Sequence, residues 1–224
     1  MKNYLVFIVT AALLCTLPEA SHADSIKGRL GVTGRLGLMV SSDIDYTGIT
    51  PYTIIPSITV VELQKNNAKA ETAFVGGGGF IYGVTDHFAV EVDVTHTPEI
   101  DYDIYSGLKA LEITTTNVSL GLQYRFLPEN RLVPYLGGGV DFILSDGKYL
   151  TGDQLNIDTV MGGHVNIGAD FFVTKRIALN ADFRGVLGPK ANIYIQNSSL
   201  SEAFNAEYDP NSFVALFGVR FFLN

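Results

Sequence analysis

Charged residues recur at alternate positions within otherwise apolar segments of this 224-residue chain, where they can either neutralise one another or line a path for ions. Glu91 and Asp93 stand among valines, and Arg220 stands among phenylalanines. Since a buried charge without a partner is costly, similar numbers of enclosed acids and bases predict a network of ion pairs. The alternative is a polar conduit. The predicted members are Arg35, Glu91, Asp93, Arg125, Asp141, Asp170, Asp182, Arg184 and Arg220, with Arg29 as a further candidate.

A histidine and a serine come closest to a catalytic pattern. His96 precedes Ser106 by ten residues, with Asp101 and Asp103 between them. The alternation of the segment turns His96 away from the charged residues, and no Gly-x-Ser-x-Gly elbow is present. The short acidic pairs fall below the roughly six to eight oxygens that calcium requires. We therefore expect no enzymatic activity, no metal site and no cofactor.

The beginning of the chain has the pattern of an export signal. Lys2 is followed by an apolar run over residues 4–14 and then by Ser21-His22-Ala23, which predicts a signal peptide over residues 1–23 and a mature domain over 24–224. The apolar run is shorter than the roughly 20 residues of a membrane-spanning helix. With a net charge of -8 and no basic cluster, the chain is not expected to bind nucleic acid.

Eight later segments alternate between apolar and polar residues with a period of two, which is the pattern of half-buried β-strands. In the clearest segment, Leu120 and Leu122 oppose Ser119 and Gln123. Most segments have about the length of a tilted membrane strand. We predict an all-β fold, a closed antiparallel eight-stranded transmembrane β-barrel. The segments lie at residues 28–40, 74–82, 88–95, 117–126, 132–144, 161–171, 177–184 and 212–221.

Three features favour a membrane barrel over a soluble one. The apolar faces carry no charge in their central parts, and aromatic residues gather beside the short connections, as in the girdle of a membrane barrel. Short and long connections also alternate. In hydrocarbon every backbone amide needs an internal partner, so the sheet must close on itself. The short connections are 83–87, 127–131 and 173–176, and the long ones are 41–70, 97–111, 145–158 and 188–211.

Two stretches resemble the OmpW family of small outer-membrane barrels. One begins Thr85-Asp86-His87-Phe88, and the other contains Gln123-Tyr124-Arg125-Phe126-Leu127-Pro128 followed by Pro134-Tyr135-Leu136-Gly137-Gly138-Gly139-Val140. The resemblance implies an eight-stranded barrel in the bacterial outer membrane that moves small hydrophobic molecules. For a barrel in that membrane, we also expect outer-membrane lipid, lipopolysaccharide and the barrel assembly machinery as partners.

The first long connection is unusually apolar for a loop. We predict that Ile49, Tyr52, Ile54, Ile55 and Ile58 collect a hydrophobic solute, the alternative being a hairpin that packs on itself. Such a solute would not cross a charged interior, so we expect it to leave sideways between strands. The glycine runs 76–79 and 137–139 either weaken the wall or allow close packing of strands.

Three functions remain open on the sequence. The first is transport of small hydrophobic molecules, collected by extracellular loops and released laterally. The second is a narrow channel for small polar or cationic solutes, which is favoured by the 12 acids and five bases of the long connections. The third is a structural or surface-binding barrel without transport.

Overall fold

A computed structural model describes residues 25–42, 44–55, 58–104, 108–149, 154–195 and 206–223. The predicted signal peptide and Ser106 lie outside these residues. No helix among them is long and apolar enough to cross a membrane. The described strands are β1 (Leu30–Ser41), β2 (Ile44–Ile55), β3 (Ile58–Ala70), β4 (Thr72–Gly83), β5 (Phe88–Ile104), β6 (Leu108–Arg125), β7 (Leu132–Tyr149), β8 (Gln154–Ile157), β9 (Val160–Phe172), β10 (Ile177–Leu187), β11 (Ala191–Ile195), β12 (Ala206–Tyr208) and β13 (Ser212–Phe222).

Eight strands form a closed antiparallel ring, which we call the lower ring. Its order is β1-β4-β5-β6-β7-β9-β10-β13, and it closes because β1 pairs with both β4 and β13. Three tight connections, at residues 84–87, 126–131 and 173–176, join consecutive strands at one end. The predicted fold, a closed eight-stranded antiparallel barrel, is confirmed.

The chain continues above this ring as a second closed ring, the upper ring, in the order β2-β3-β5-β6-β7-β8-β11-β12. Strands β5, β6 and β7 belong to both rings. Where the structure describes them, the predicted long connections are therefore largely β-structure. The first of them is a hairpin in which β2 pairs with β3 from Ile44 opposite Ala68 to Ile55 opposite Ile58.

The polarity of the wall inverts between the two rings. In the lower part of β6, Leu120 and Leu122 face outward while Ser119 and Gln123 are buried, whereas higher up Ile113 is fully buried. Strand β5 reaches the same inversion through a bulge between Thr97 and Ile100, which shifts the inward phase by one residue. A wall with an apolar outer face is suited to surrounding hydrocarbon, whereas a wall with a polar outer face and an apolar interior is suited to surrounding water. The inversion therefore marks the outer edge of the membrane.

At this level a strand of one ring is separated by a short break from the strand of the other ring that continues it. The five breaks lie between β1 and β2, β3 and β4, β8 and β9, β10 and β11, and β12 and β13. Pro189 and Pro210 lie in two neighbouring interruptions. Proline has no N–H to donate to a sheet, so regular pairing of β10 with β13 stops at Val186 opposite Ser212. The wall therefore has a gap in its hydrogen bonding above these two residues.

The glycine runs allow close packing of neighbouring strands. A Cβ at Gly79 would overlap the carbonyl oxygen of Val92, and one at Gly139 would overlap that of Leu120. Both glycine runs lie within regularly paired strands, so neither run interrupts the hydrogen bonding of the wall.

Gly79→Ala is expected to destabilise the barrel by about 1–3 kcal/mol, the usual cost of overpacking. Gly34→Ala is the matched control, because a Cβ there would meet nothing within 4 Å. Heat-dependent gel mobility and urea unfolding of the refolded proteins measure the difference. Equal losses in both variants would contradict the packing role of Gly79.

Candidate functional site in the barrel interior

Arg220 lies at the centre of a buried charged network inside the lower ring. Its Nη1 donates to Asp170 Oδ2 at 2.6 Å, and its Nη2 donates to Glu91 Oε1 at 2.6 Å. Its Nε donates to Thr33 Oγ1 at 2.9 Å. Alternation places the side chain here, since Arg220 lies between the outward-facing Val219 and Phe221 on β13.

A second arginine ties two acids of β5 to the same cluster. Arg35 donates to Asp93 Oδ2 at 3.0 Å, to Asn180 Oδ1 at 2.8 Å and to Glu91 Oε1. Arg184 also donates to Asp93 Oδ2, at 3.4 Å. Charges from five strands, β1, β5, β9, β10 and β13, are thereby neutralised around one point of the interior.

Asp170 has a second cationic partner, and Asp182 and Asp141 have partners of their own. Asp170 Oδ2 also accepts from Arg125 Nη2 at 2.6 Å, and Asp182 Oδ1 lies 3.5 Å from Arg184 Nε. Asp141 Oδ2 lies 2.8 Å from His164 Nδ1. An unpaired buried charge would cost several kcal/mol, and this arrangement leaves each acid with a cationic or polar donor.

The structure places all nine predicted members of the charged network in the barrel interior, each exposing 4% or less of its surface. Arg29 lies lower, where its Nη2 donates to Lys175 O at 2.9 Å. Buried polar residues beyond the nine predicted charged members complete the network: Asn117, Gln123, Tyr135, His164, Asn166 and Asn180. The sequence signal that identifies them is alternation, because each lies an even number of positions from a charged residue of the same strand and therefore on the same face.

An apolar cluster fills the interior below the charged network. Phe172 and Phe222 stack at 5.7 Å between ring centroids and are almost fully buried. These two rings do not belong to the aromatic girdle predicted beside the short connections, because each follows an outward-facing phenylalanine and so points inward. The complete cluster is Ile26, Ile81, Ala89, Val133, Phe172, Ala178 and Phe222.

A second apolar space, which we call the upper chamber, lies above the network. Its hydrophobic lining includes Met39, Val75, Ile143, Val186, Val214 and Leu216, and its polar lining consists of Thr95, Thr97, Thr115, Asn117, Arg184 and Ser212. Its open volume is about 20 Å³, which is room for a water molecule but not for an organic solute. A solute must therefore displace side chains to enter it.

The outer face of the wall carries a larger depression, which we call the wall pocket, at the hydrogen-bonding gap. Its volume is about 370 Å³, within the range of small-molecule sites. Val186 and Ser212 line both the wall pocket and the upper chamber and therefore separate them. The other lining residues are Val40, Ser41, Ser42, Val165, Gly185, Leu187, Asn211 and Phe213.

Asn211 bridges the gap beside the wall pocket. Its Oδ1 accepts from Gly188 N at 2.9 Å, and its carbonyl oxygen accepts from Ser42 N at 2.9 Å. Asn211 thus links its own segment to both neighbouring segments, the one that follows β10 and the one that follows β1. Between the rings, this part of the wall depends on isolated hydrogen bonds rather than on a regular ladder.

The predicted collecting residues lie in the hairpin of the upper ring. The structure places Ile49, Tyr52, Ile54 and Ile55 in β2 and Ile58 in β3, and their side chains lie outside the described part of the chain. The backbone thus brings them to the end of the barrel that is farthest from the tight connections.

His96 and a group of acids that includes Asp101 lie on the outer surface. His96 is exposed, and its Nδ1 lies 2.9 Å from Thr116 Oγ1. Glu99, Asp101 and Glu112 bring three carboxylates within 4.8 Å of one another. Three ligand oxygens are fewer than calcium requires, and exposed carboxylates are common without a metal.

Comparisons with known proteins agree with the architecture. The sequence model of the family described as the outer membrane protein beta-barrel domain matches residues 7–221. The fold is similar to that of the outer membrane protein OprG from Pseudomonas aeruginosa, with a TM-score of 0.61, 16% identity, and coverage of 87% of this chain and 96% of OprG. It is also similar to the outer membrane protein AlkL studied in lipid bilayers, with a TM-score of 0.58, 16% identity, and coverage of 93% and 96%. No curated protein sequence gives a significant match.

Proposed function

Since the chain belongs to the outer membrane protein beta-barrel family, we propose that it transports small hydrophobic molecules and releases them sideways into the membrane. The observation that carries this proposal is the position of Val186 and Ser212, which separate the apolar upper chamber from the wall pocket. The charged network and the lower apolar cluster lie directly beneath.

The axial route is unfavourable for either class of solute. A hydrophobic molecule would have to displace ion pairs such as Arg220–Asp170 without replacing their hydrogen bonds. A hydrated ion would have to pass the stacked rings of Phe172 and Phe222. The interior of an eight-stranded barrel is just wide enough for its own side chains, which agrees with this filling.

The lateral route is short and apolar. A solute collected by Ile49, Tyr52, Ile54, Ile55 and Ile58 would pass into the upper chamber, whose lining is mostly hydrophobic. From there it needs only to separate Val186 from Ser212 to reach Val165, Leu187 and Phe213 on the lipid-facing surface. The exit lies where regular strand pairing ends, so few hydrogen bonds must break.

Asn211→Ala tests this exit. The substitution removes the acceptor for Gly188 N and is expected to make opening of the gap on the order of two- to tenfold easier, as loss of a hydrogen bond of about 0.5–1.5 kcal/mol allows. Uptake of a fluorescent hydrophobic probe by vesicles with a lipopolysaccharide outer leaflet should rise accordingly.

The control for this test is Asn192→Ala, which removes an exposed asparagine of β11 just above the gap. Its uptake should match that of the unmodified protein. Unchanged uptake in a correctly folded Asn211→Ala variant would argue against an exit at this gap.

A further inference from the structure

The end of the barrel with the tight connections, which is the periplasmic end in outer-membrane barrels, carries a concentration of positive charge. Lys27 and Arg29 precede β1, Arg131 precedes β7, and Lys175 and Arg176 lie between β9 and β10. These segments are neighbours, because Arg29 Nη2 donates to Lys175 O at 2.9 Å and Phe172 N donates to Arg131 O at 2.8 Å. We call these five cations the basic arc.

Few acids offset the basic arc. Asp86 and Glu129 are the acids among residues 25–29 and the three tight connections, so five bases against two acids leave an excess of three positive charges there. A hydrogen bond from Ser25 Oγ at 2.5 Å, helped by Lys27, holds the pKa of Asp86 below its usual value. Asp86 therefore stays charged and offsets Lys27 in particular. The long connections at the opposite end carry 12 acids and five bases, so the two ends of the barrel have opposite charge.

The basic arc lies at the depth of lipid headgroups. The guanidinium of Arg131 lies 4.7 Å from the ring centroid of Phe171, which precedes the inward-facing Phe172 and so belongs to the outer face of β9. Aromatic rings at this position mark the boundary between hydrocarbon and headgroups in membrane barrels. A cation stacked on such a ring is therefore close to lipid phosphates.

The connection that carries Lys175 and Arg176 is held in a defined shape. Thr174 Oγ1 accepts from Arg176 N at 3.2 Å and from Ile177 N at 3.0 Å. Arg131 is fixed in a similar way, since its Nε donates to Phe172 O at 3.0 Å. Lys175 and Arg176 are exposed. Cations on an ordered backbone lose less conformational entropy when they bind an anion.

We propose that the basic arc is a binding site for anionic phospholipid headgroups in the periplasmic leaflet. The cations come from three adjacent segments that lie at headgroup depth on one side of the barrel, and basic clusters at a membrane surface attract anionic lipids. Such lipids would form a fixed boundary layer beneath β7, β9, β10, β13 and β1. The wall pocket lies in the upper part of the same side of the wall.

Native mass spectrometry of the refolded full chain tests this proposal. The protein is released from micelles that contain equal amounts of phosphatidylglycerol and phosphatidylcholine, and the retained lipids are counted. The unmodified protein should retain phosphatidylglycerol preferentially. The variant K175Q/R176Q should lose about fivefold in this preference for each cation removed, and R131Q should lose a similar factor.

The matched control is K148Q/K190Q, which removes the same charge at the opposite end of the barrel. Its lipid preference should equal that of the unmodified protein, and heat-dependent gel mobility reports that every variant is folded. A preference that survives in K175Q/R176Q and R131Q, or that falls equally in the control, would overturn the proposal. Displacement of the lipid by millimolar inorganic phosphate would also overturn it and would indicate a site for free anions.

Discussion

Replacement of Arg220 by methionine is expected to lower the free energy of unfolding by about 3–5 kcal/mol, because it leaves two buried carboxylates without their shared cation. Asp170 and Glu91 each accept a hydrogen bond of 2.6 Å from this one guanidinium. Urea unfolding of the refolded protein in micelles, followed by circular dichroism, measures the loss. Lys148→Met, which removes an exposed cation, should change stability by no more than about 0.5 kcal/mol.

A double-mutant cycle separates the electrostatic cause from lost packing. If uncompensated charge is the reason, Glu91→Gln in the Arg220→Met background should recover part of the stability, although it destabilises the unmodified protein. The same change should therefore have opposite signs in the two backgrounds. Equal destabilisation by Glu91→Gln in both backgrounds would show that the network contributes packing volume rather than charge compensation.

A disulfide across the upper part of the β10–β13 pair is expected to reduce uptake of a hydrophobic probe to the background of empty vesicles. Gly185 and Phe213 are directly opposite each other in this pair, and both line the wall pocket. The double variant G185C/F213C joins the two strands beside the proposed exit, and a Cβ at Gly185 would make only ordinary contacts. Dithiothreitol should restore uptake in the same sample, which makes the reduced protein its own reference.

The matched control is L179C/V219C, which joins the same two strands lower in the wall. Leu179 and Val219 are also directly opposite each other, and like Phe213 they face the lipid. The control disulfide should leave uptake unchanged whether oxidised or reduced. Inhibition by both disulfides would indicate a general effect on the barrel, and inhibition by neither would place the exit elsewhere.

Much of the lower ring could be predicted from the sequence, because its physical signal is strictly local. In a β-strand alternate residues share a face, so a charge at position 91, 93 or 220 between apolar neighbours must point away from the lipid. The closed eight-stranded barrel predicted from this alternation is confirmed, and the family match and the fold of OprG and AlkL agree with an outer-membrane barrel.

The features that escaped prediction depend on contacts between strands. The upper ring keeps the period of two but exchanges its apolar and polar faces, so residues 97–111 and 145–158 resembled polar loops. The direction of Phe172 and Phe222 depends on where β9 and β13 end. A weak wall was one of the two interpretations of the glycine runs, whereas the gap in the hydrogen bonding of the wall lies at Pro189 and Pro210, which become neighbours only when β10 and β13 pair.

The most direct test of lateral transport is flux through the refolded protein in vesicles with a lipopolysaccharide outer leaflet, comparing a small hydrophobic probe with small cations. The filled interior and the apolar route through Val186 and Ser212 predict selective passage of the probe with no cation conductance above that of empty vesicles. Cation conductance without transfer of the probe would contradict lateral transport and identify a narrow axial channel instead.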